Sequence, residues 1–289
     1  MIKINNKEYK IKHFPDNSQM HMDFNVSEYL NTHNSFYIEI TWLYENDEEM
    51  VSLYYIVNHL RRVVPGNKID LKLPYCPNSR MDRVKSENEI FTLKYFCNFI
   101  NSLNFTHVYV FDTHSHVTDA LLDNIIDLHA DRVIYGLYST NNYDLIYFPD
   151  AGAMKRYSQY FKNSPNMIYG SKVRDWNTGK IEGIKILNKD GEPCDKSDIE
   201  NKSILMVDDI ISYGGTMAYS ADKLHELGAK NIDIYVSHLE NSFFDKEKGT
   251  LRKRMKNGTN IVNTIYTTNS IYKEENNEEN FNIKLIHKF

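Results

Sequence analysis

The sequence is poor in cysteine: Cys76, Cys97 and Cys194 are the only three in 289 residues. They are too few and too scattered for a disulfide framework or a zinc cluster, and a reducing, cytoplasmic setting is expected. No run approaches the roughly 20 uninterrupted apolar residues of a membrane-spanning helix. The start, Met1 to Glu8, lacks the apolar centre of a secretory signal, so no membrane partner is expected. Positive charge is not in excess either, with 34 Lys and Arg against 39 Asp and Glu and a net charge of −5. General nucleic-acid binders favour a basic face, so nucleic acid is not an expected partner and small molecules are. No repeat of roughly 20–50 residues is visible, which removes solenoid architectures. What is present is an ordinary globular mixture, 41% apolar and 25% charged, in a chain long enough for one large or two ordinary domains.

Apolar runs alternate with helical patterns along the chain. In the first half these are Phe36–Leu43, Glu45–Val64, Lys68–Cys76, Glu87–Leu103, His107–Phe111 and Thr118–Leu128, the last read as helical. The second half continues with Arg132–Tyr138, Leu145–Phe148, Ala153–Phe161, Ser203–Val207, Thr216–Leu227 and Ile232–Ser237. Strands and helices alternating at these lengths predict an α/β fold with mostly parallel sheets flanked by helices. Breaks are expected near Ala130–Asp131 and in the polar stretch Asn188–Lys202, where Gly191 and Pro193 mark a turn. Lys273–Asn280 reads as a solvated loop before a strand-like end, Phe281–Phe289.

The most informative segment is Ile204-Leu-Met-Val-Asp208-Asp209-Ile-Ile-Ser212-Tyr213-Gly214-Gly215-Thr216. A buried strand ending in two acids, followed by a Gly-Gly-Thr turn that opens a helix, offers backbone N–H groups at the positive end of a helix dipole, where a phosphate can sit. Adjacent carboxylates can accept hydrogen bonds from vicinal hydroxyls or hold Mg²⁺ through water. A sugar phosphate satisfies both halves. Alone, an Asp pair often caps a helix and Gly-Gly merely turns the chain; the combination is more specific.

Val207–Thr216 resembles the phosphoribosyl pyrophosphate (PRPP) motif of the type I phosphoribosyltransferase fold, which is shared by transferases and PRPP synthetases. Three further segments resemble the synthetases, the ribose-phosphate pyrophosphokinases. Pro74-Tyr75…Arg80-Met-Asp82-Arg83 is similar to their ATP-binding Pro-Tyr…Arg-Gln-Asp-Arg, with Met81 in place of Gln. Asp112-Thr-His114-Ser-His116 resembles Asp-Leu-His-Ala/Ser, although the Gln-Gly-Phe-Phe usual soon afterwards is absent. Pro149-Asp150-Ala-Gly152-Ala-Met-Lys155-Arg156 looks like Pro-Asp-Ala-Gly-Gly-x-Lys-Arg, and Lys172-Val-Arg174 resembles the Lys-x-Arg of the family's catalytic flexible loop. Phe14-Pro-Asp16 resembles an N-terminal loop that reaches the adenine of a neighbouring subunit.

The resemblance implies two tandem phosphoribosyltransferase-like domains, residues 1–130 and 131–289, with the tail Phe281–Phe289 packing back on the first. It implies transfer of the β,γ-diphosphate of Mg²⁺–ATP to the C1 hydroxyl of a ribose 5-phosphate moiety, with release of AMP. Lys172 and Arg174 are then the catalytic cations. Arg80, Asp82, His114 and a neighbour's Asp16 bind ATP, and His114 and Asp150 meet the metal. Asp208 and Asp209 take the ribose hydroxyls, and Ser212, Tyr213, Gly214, Gly215 and Thr216 take the 5-phosphate. A homodimer is expected, with a hexamer as the alternative. A phosphoribosyltransferase or a non-catalytic regulatory relative are the competing readings. In the family the phosphate turn has an acid and then Thr where Ser212 and Tyr213 stand here. That bulk leaves two acceptors open: ribose 5-phosphate, or a 5′-extended ribose such as ADP-ribose, whose product would feed NAD synthesis.

Overall fold

The computed structural model describes residues 1–22, 24–30, 36–161, 166–174, 181–256 and 260–289. The chain forms two compact units, Met1–His129 together with Phe289, and Ala130–Lys288.

The first unit begins with an antiparallel pair, β1 (Ile2–Ile4) and β2 (Lys7–Tyr9), and a small hairpin, β3 (Lys12–His13) and β4 (Gln19–Met20). β5 (Tyr37–Trp42), β6 (Lys68–Leu73), β7 (Val108–Phe111) and β8 (Ile125–Leu128) run parallel to one another in the sheet order β2-β1-β5-β6-β7-β8. Helix α1 (Glu48–Val63) buries Leu53, Ile56, Val57 and Leu60 at helical spacing. Acids in its first turn and Arg61 and Arg62 in its last suit the helix dipole. α2 (Thr92–Ser102) buries Leu93, Phe96, Cys97 and Ile100 in the same core. The segment Thr118–Leu128 is not one helix: α3 stops at Leu121 (Val117–Leu121), Asn124 turns left-handed, and β8 follows. α2 starts at Thr92, five residues later than the pattern Glu87–Leu103 suggests, because residues 83–88 are exposed and lack a helical apolar face.

In the second unit, Arg132–Tyr138 lies within helix α4 (Asp131–Thr140). β9 (Leu145–Phe148) leads into α5 (Ala151–Tyr157), and β10 (Met167–Arg174) and β11 (Ile181–Asn188) form an antiparallel hairpin. After the short α6 (Lys196–Ile199) come β12 (Ser203–Ile211), α7 (Gly215–Glu226), β13 (Asn231–Leu239), α8 (Arg252–Lys256), β14 (Thr264–Thr268) and β15 (Ile283–His287). The sheet order is β11-β10-β9-β12-β13-β14-β15, parallel apart from the β10–β11 hairpin. Strand order therefore reverses between β9 and β12, and in open α/β sheets the carboxyl ends at such a reversal form the ligand crevice. Ile204–Val207 is fully buried, as a two-face-covered strand requires. α7 packs Met217, Ala218, Ala221 and Leu224 into that core, and the Tyr147 hydroxyl donates to Ser220 Oγ (2.7 Å), tying β9 to α7.

Among the described residues, eleven non-glycine residues have left-handed backbone, and all but Asp112 are asparagine. Phe289 packs its ring 5.2 Å from that of Phe111, and its carbonyl accepts from Lys3 Nζ.

Candidate functional site

In the first unit the loops after β6 and β7 carry the sequence-predicted ATP residues. Arg80 is exposed at the end of a turn in which Asn78 is left-handed. Asp82, two residues on, is gripped in a fork by Arg83 (Nε 2.6 Å, Nη2 2.9 Å) and accepts from Ser115 Oγ at 2.7 Å. Hydrogen bonding to Arg83, supported by Ser115 and by the neighbouring His114, holds the Asp82 carboxyl down at about 2. The β7 loop opens at Asp112, buried and at φ 45°, a backbone state an Asp tolerates better than most side chains. His114 follows, half-buried, whereas His116 is exposed and pairs with Asp119 at 3.5 Å. Asp16 lies at the tip between β3 and β4, where its carboxylate accepts from the amide and hydroxyl of Ser18.

The second unit gathers the acids at the strand-order reversal. Asp150, at the end of β9, caps α5 by accepting from the amides of Gly152 and Ala153, both at 3.0 Å. The capping role that a lone acid before a helix suggests is thus real here. Asp208 and Asp209 lie near the carboxyl end of β12, followed in the strand by Ile210 and Ile211. Burial, then the charge of Asp209 and more weakly that of Asp150, push the Asp208 carboxyl well above the ordinary range. Arg156, from the last turn of α5, reaches Asp209 at 3.6 Å. Arg156 thus meets the Asp209 side of the pair, while burial and the neighbouring acids act on Asp208.

The turn that follows is shaped by contact. Gly214 is left-handed (φ 76°), and a Cβ there would fall 2.4 Å from Leu251 Cβ. It caps α7 with no side-chain hydrogen bond, so the first amides of the helix stay available at the positive dipole end. The carbonyl of Tyr213 accepts from Thr250 N (2.8 Å), its ring is 39% exposed, and Lys248 Nζ sits 5.8 Å from the ring centroid. Ser212 Oγ shares a hydrogen bond with Ser242 Oγ (2.9 Å). Lys172 and Arg174 lie on β10, opposite Ile184 and Ile181 of β11, with a register shift between Val173 and Arg174; residues 175–180 at the hairpin tip lie outside the described ones.

A pair of acids near the carboxyl end of a buried strand at a strand-order reversal, followed by a helix start without a side-chain cap, is an arrangement for a phosphorylated sugar. The family model for a phosphoribosyl transferase domain matches residues 120–273, more than half of the chain. The ribose-phosphate pyrophosphokinase of Sulfolobus acidocaldarius is 30% identical over 209 residues, 68% of this chain and 67% of that one. The chain belongs to the ribose-phosphate pyrophosphokinase family. Its relative from Thermococcus kodakarensis is 29% identical over 233 residues, 80% of this chain and 77% of that one. The fold matches the crystal structure of phosphoribosylpyrophosphate synthetase from Mycobacterium smegmatis with a TM-score of 0.71 at 15% identity, covering 96% of this chain and 85% of that one.

Four further residues shape the site through contacts that the sequence does not show. Arg83 and Arg156 were visible within motifs, but their acid partners lie on other elements or invite assignment to a ligand. Ser115 and Lys248 had no local signal, since each acts on a residue more than thirty positions away. Among the described residues no helix is long and apolar enough to cross a membrane.

Proposed function

We propose that this pyrophosphokinase transfers the diphosphoryl group of ATP to the C1 hydroxyl of ribose 5-phosphate, forming PRPP and releasing AMP. The observation that carries the reading is the placement of Asp208 and Asp209 near the carboxyl end of β12, at the strand-order reversal, just before the start of α7 behind Gly214, which has no side-chain cap. The carboxylates accept from the ribose 2- and 3-hydroxyls, and the amides of the Ser212–Thr216 turn hold the 5-phosphate. On the first unit, Arg80 and His114 bind the ATP phosphates, with Asp82 anchoring their loops. Lys172 and Arg174 stabilise charge on the transferring group, and in-line positioning supplies most of the remaining acceleration.

Among the described residues no three His, Cys, Asp or Glu side chains form a metal cluster. Mg²⁺ needs only one or two carboxylates when phosphates and water complete its shell. The negative charge that raises Asp208, and the neighbouring Asp150, fit that requirement, and His114 fits a phosphate-bound ion on the nucleotide side. When bound, Mg²⁺ supplies neutralisation of ATP phosphate charge. A homodimer is the proposed assembly, with a hexamer as the alternative; the missing Gln-Gly-Phe-Phe segment supports the smaller one.

A second acceptor reading rests on Tyr213. Its half-open ring beside Lys248 offers a stacking face and a cation just outside the 5-phosphate turn, suited to a 5′-extended ribose such as ADP-ribose. The test is AMP release from Mg²⁺–ATP with each acceptor, for the wild type and Tyr213→Ala. Turnover of ribose 5-phosphate alone, unchanged by Y213A, removes the extended acceptor. No ATP-dependent AMP release with either acceptor, alongside PRPP consumption with a base, would instead indicate a phosphoribosyltransferase.

A further inference from the structure

We propose that Ser115 is a positioning residue for nucleotide binding, a hydroxyl latch that fixes the loop after β6 against the loop after β7. The inference rests on reading this edge as the ATP site. Ser115 is 8% exposed. Its oxygen accepts from Val117 N (3.2 Å), so its proton is directed to Asp82 Oδ2 (2.7 Å). The bond spans 33 residues of sequence and joins the loops of two adjacent parallel strands.

Asp82 also accepts the Arg83 fork, so its carboxylate joins the two loops as a shared post. Through that post, Ser115 sets the spacing between Arg80 on one loop and His114 on the other. A polyphosphate meeting both cannot be gripped well if the loops drift by an ångström. Ser115 itself needs no contact with the nucleotide.

The experiment uses the full chain as wild type, Ser115→Ala, Ser115→Thr, Asp82→Ala and the Ser115→Ala/Asp82→Ala double variant. It measures Mg²⁺–ATP affinity by calorimetry without acceptor, and steady-state AMP release with varied ATP and varied ribose 5-phosphate. For S115A, Kd and KM for ATP rise about tenfold, the loss of one hydrogen bond to a charged group. KM for ribose 5-phosphate stays at its wild-type value, S115T restores ATP affinity, and the S115A/D82A double variant is no weaker than D82A alone, because D82A leaves the hydroxyl no acceptor. If S115A melts below the assay temperature, Ser115→Cys, whose thiol donates weakly, takes its place. Wild-type ATP affinity in a folded S115A, an equal rise in both KM values, or failure of Thr to rescue would each overturn the latch. If the wild type binds Mg²⁺–ATP but releases no AMP with ribose 5-phosphate, the reaction reading fails and the affinity series still decides the latch. No ATP binding by the wild type overturns both.

Discussion

Two adjacent glycines at the start of α7 make opposite predictions. At Gly214 the backbone is left-handed, which costs an L-residue about 1–2 kcal/mol. A methyl there would also lie 2.4 Å from Cβ of the fully buried Leu251, a clash whose relief by backbone movement adds about 1–3 kcal/mol. Gly214→Ala should therefore destabilise the second unit by about 2–5 kcal/mol, a fall in its melting midpoint of roughly 5–15 °C. Gly215 is different: an added Cβ meets nothing within 4 Å, and the residue is already helical. Gly215→Ala should be neutral or stabilising by about 0.5–1 kcal/mol. Thermal and urea melts of the pair, with KM for ribose 5-phosphate on each, form the assay. Only G214A tilts the turn, so only its stability falls, and its acceptor KM rises several-fold. A G214A protein as stable as G215A would refute the account of the turn.

Two further outcomes follow from the acids and the hairpin. The Asp208 carboxyl has a folded-state pKa above its unfolded value, so ionising it costs the fold: stability falls as pH rises from the unfolded carboxylate value towards the raised one. Asp208→Asn should accordingly raise the melting temperature of the ligand-free protein at neutral pH and flatten that dependence, while cutting turnover at least about a hundredfold; unchanged turnover would remove Asp208 from the site. Lys172→Ala should lower turnover by roughly 10²–10³ while the melting curve stays in place, and near-normal turnover would reject its catalytic role.

The strand, acids and glycine turn of β12 and α7 were legible because the whole device is local: one apolar run, two acids and a positive-φ turn within thirteen residues. The alternation that predicts parallel sheets is likewise a chain-local signal, and the matching architecture follows from it. What failed was punctuation by asparagine. Thr118–Leu128 has helical apolar spacing, yet left-handed Asn124 breaks it and its amide donates to the Phe105 carbonyl, sending the chain into β8. The site was half legible for the same reason. Arg156 meets Asp209 across two elements, and Ser115 meets Asp82 across two loops, pairings that spacing along the chain does not encode. Asp150 shows the converse: its acid was visible, but the two amides that occupy one of its oxygens became visible only with α5 in place.

The use of asparagine at nearly every left-handed non-glycine position restricts how this sequence can drift. Most of those residues are exposed, where surface positions ordinarily accept almost any side chain. Here the backbone itself is the filter. Glycine fits without strain, and asparagine tolerates the state through its short, hydrogen-bonding side chain. Any β-branched replacement is resisted at the level of a single dihedral angle. A chain whose surface looks free to vary thus carries a sparse set of fixed points, and these lie at the corners where one element hands over to the next.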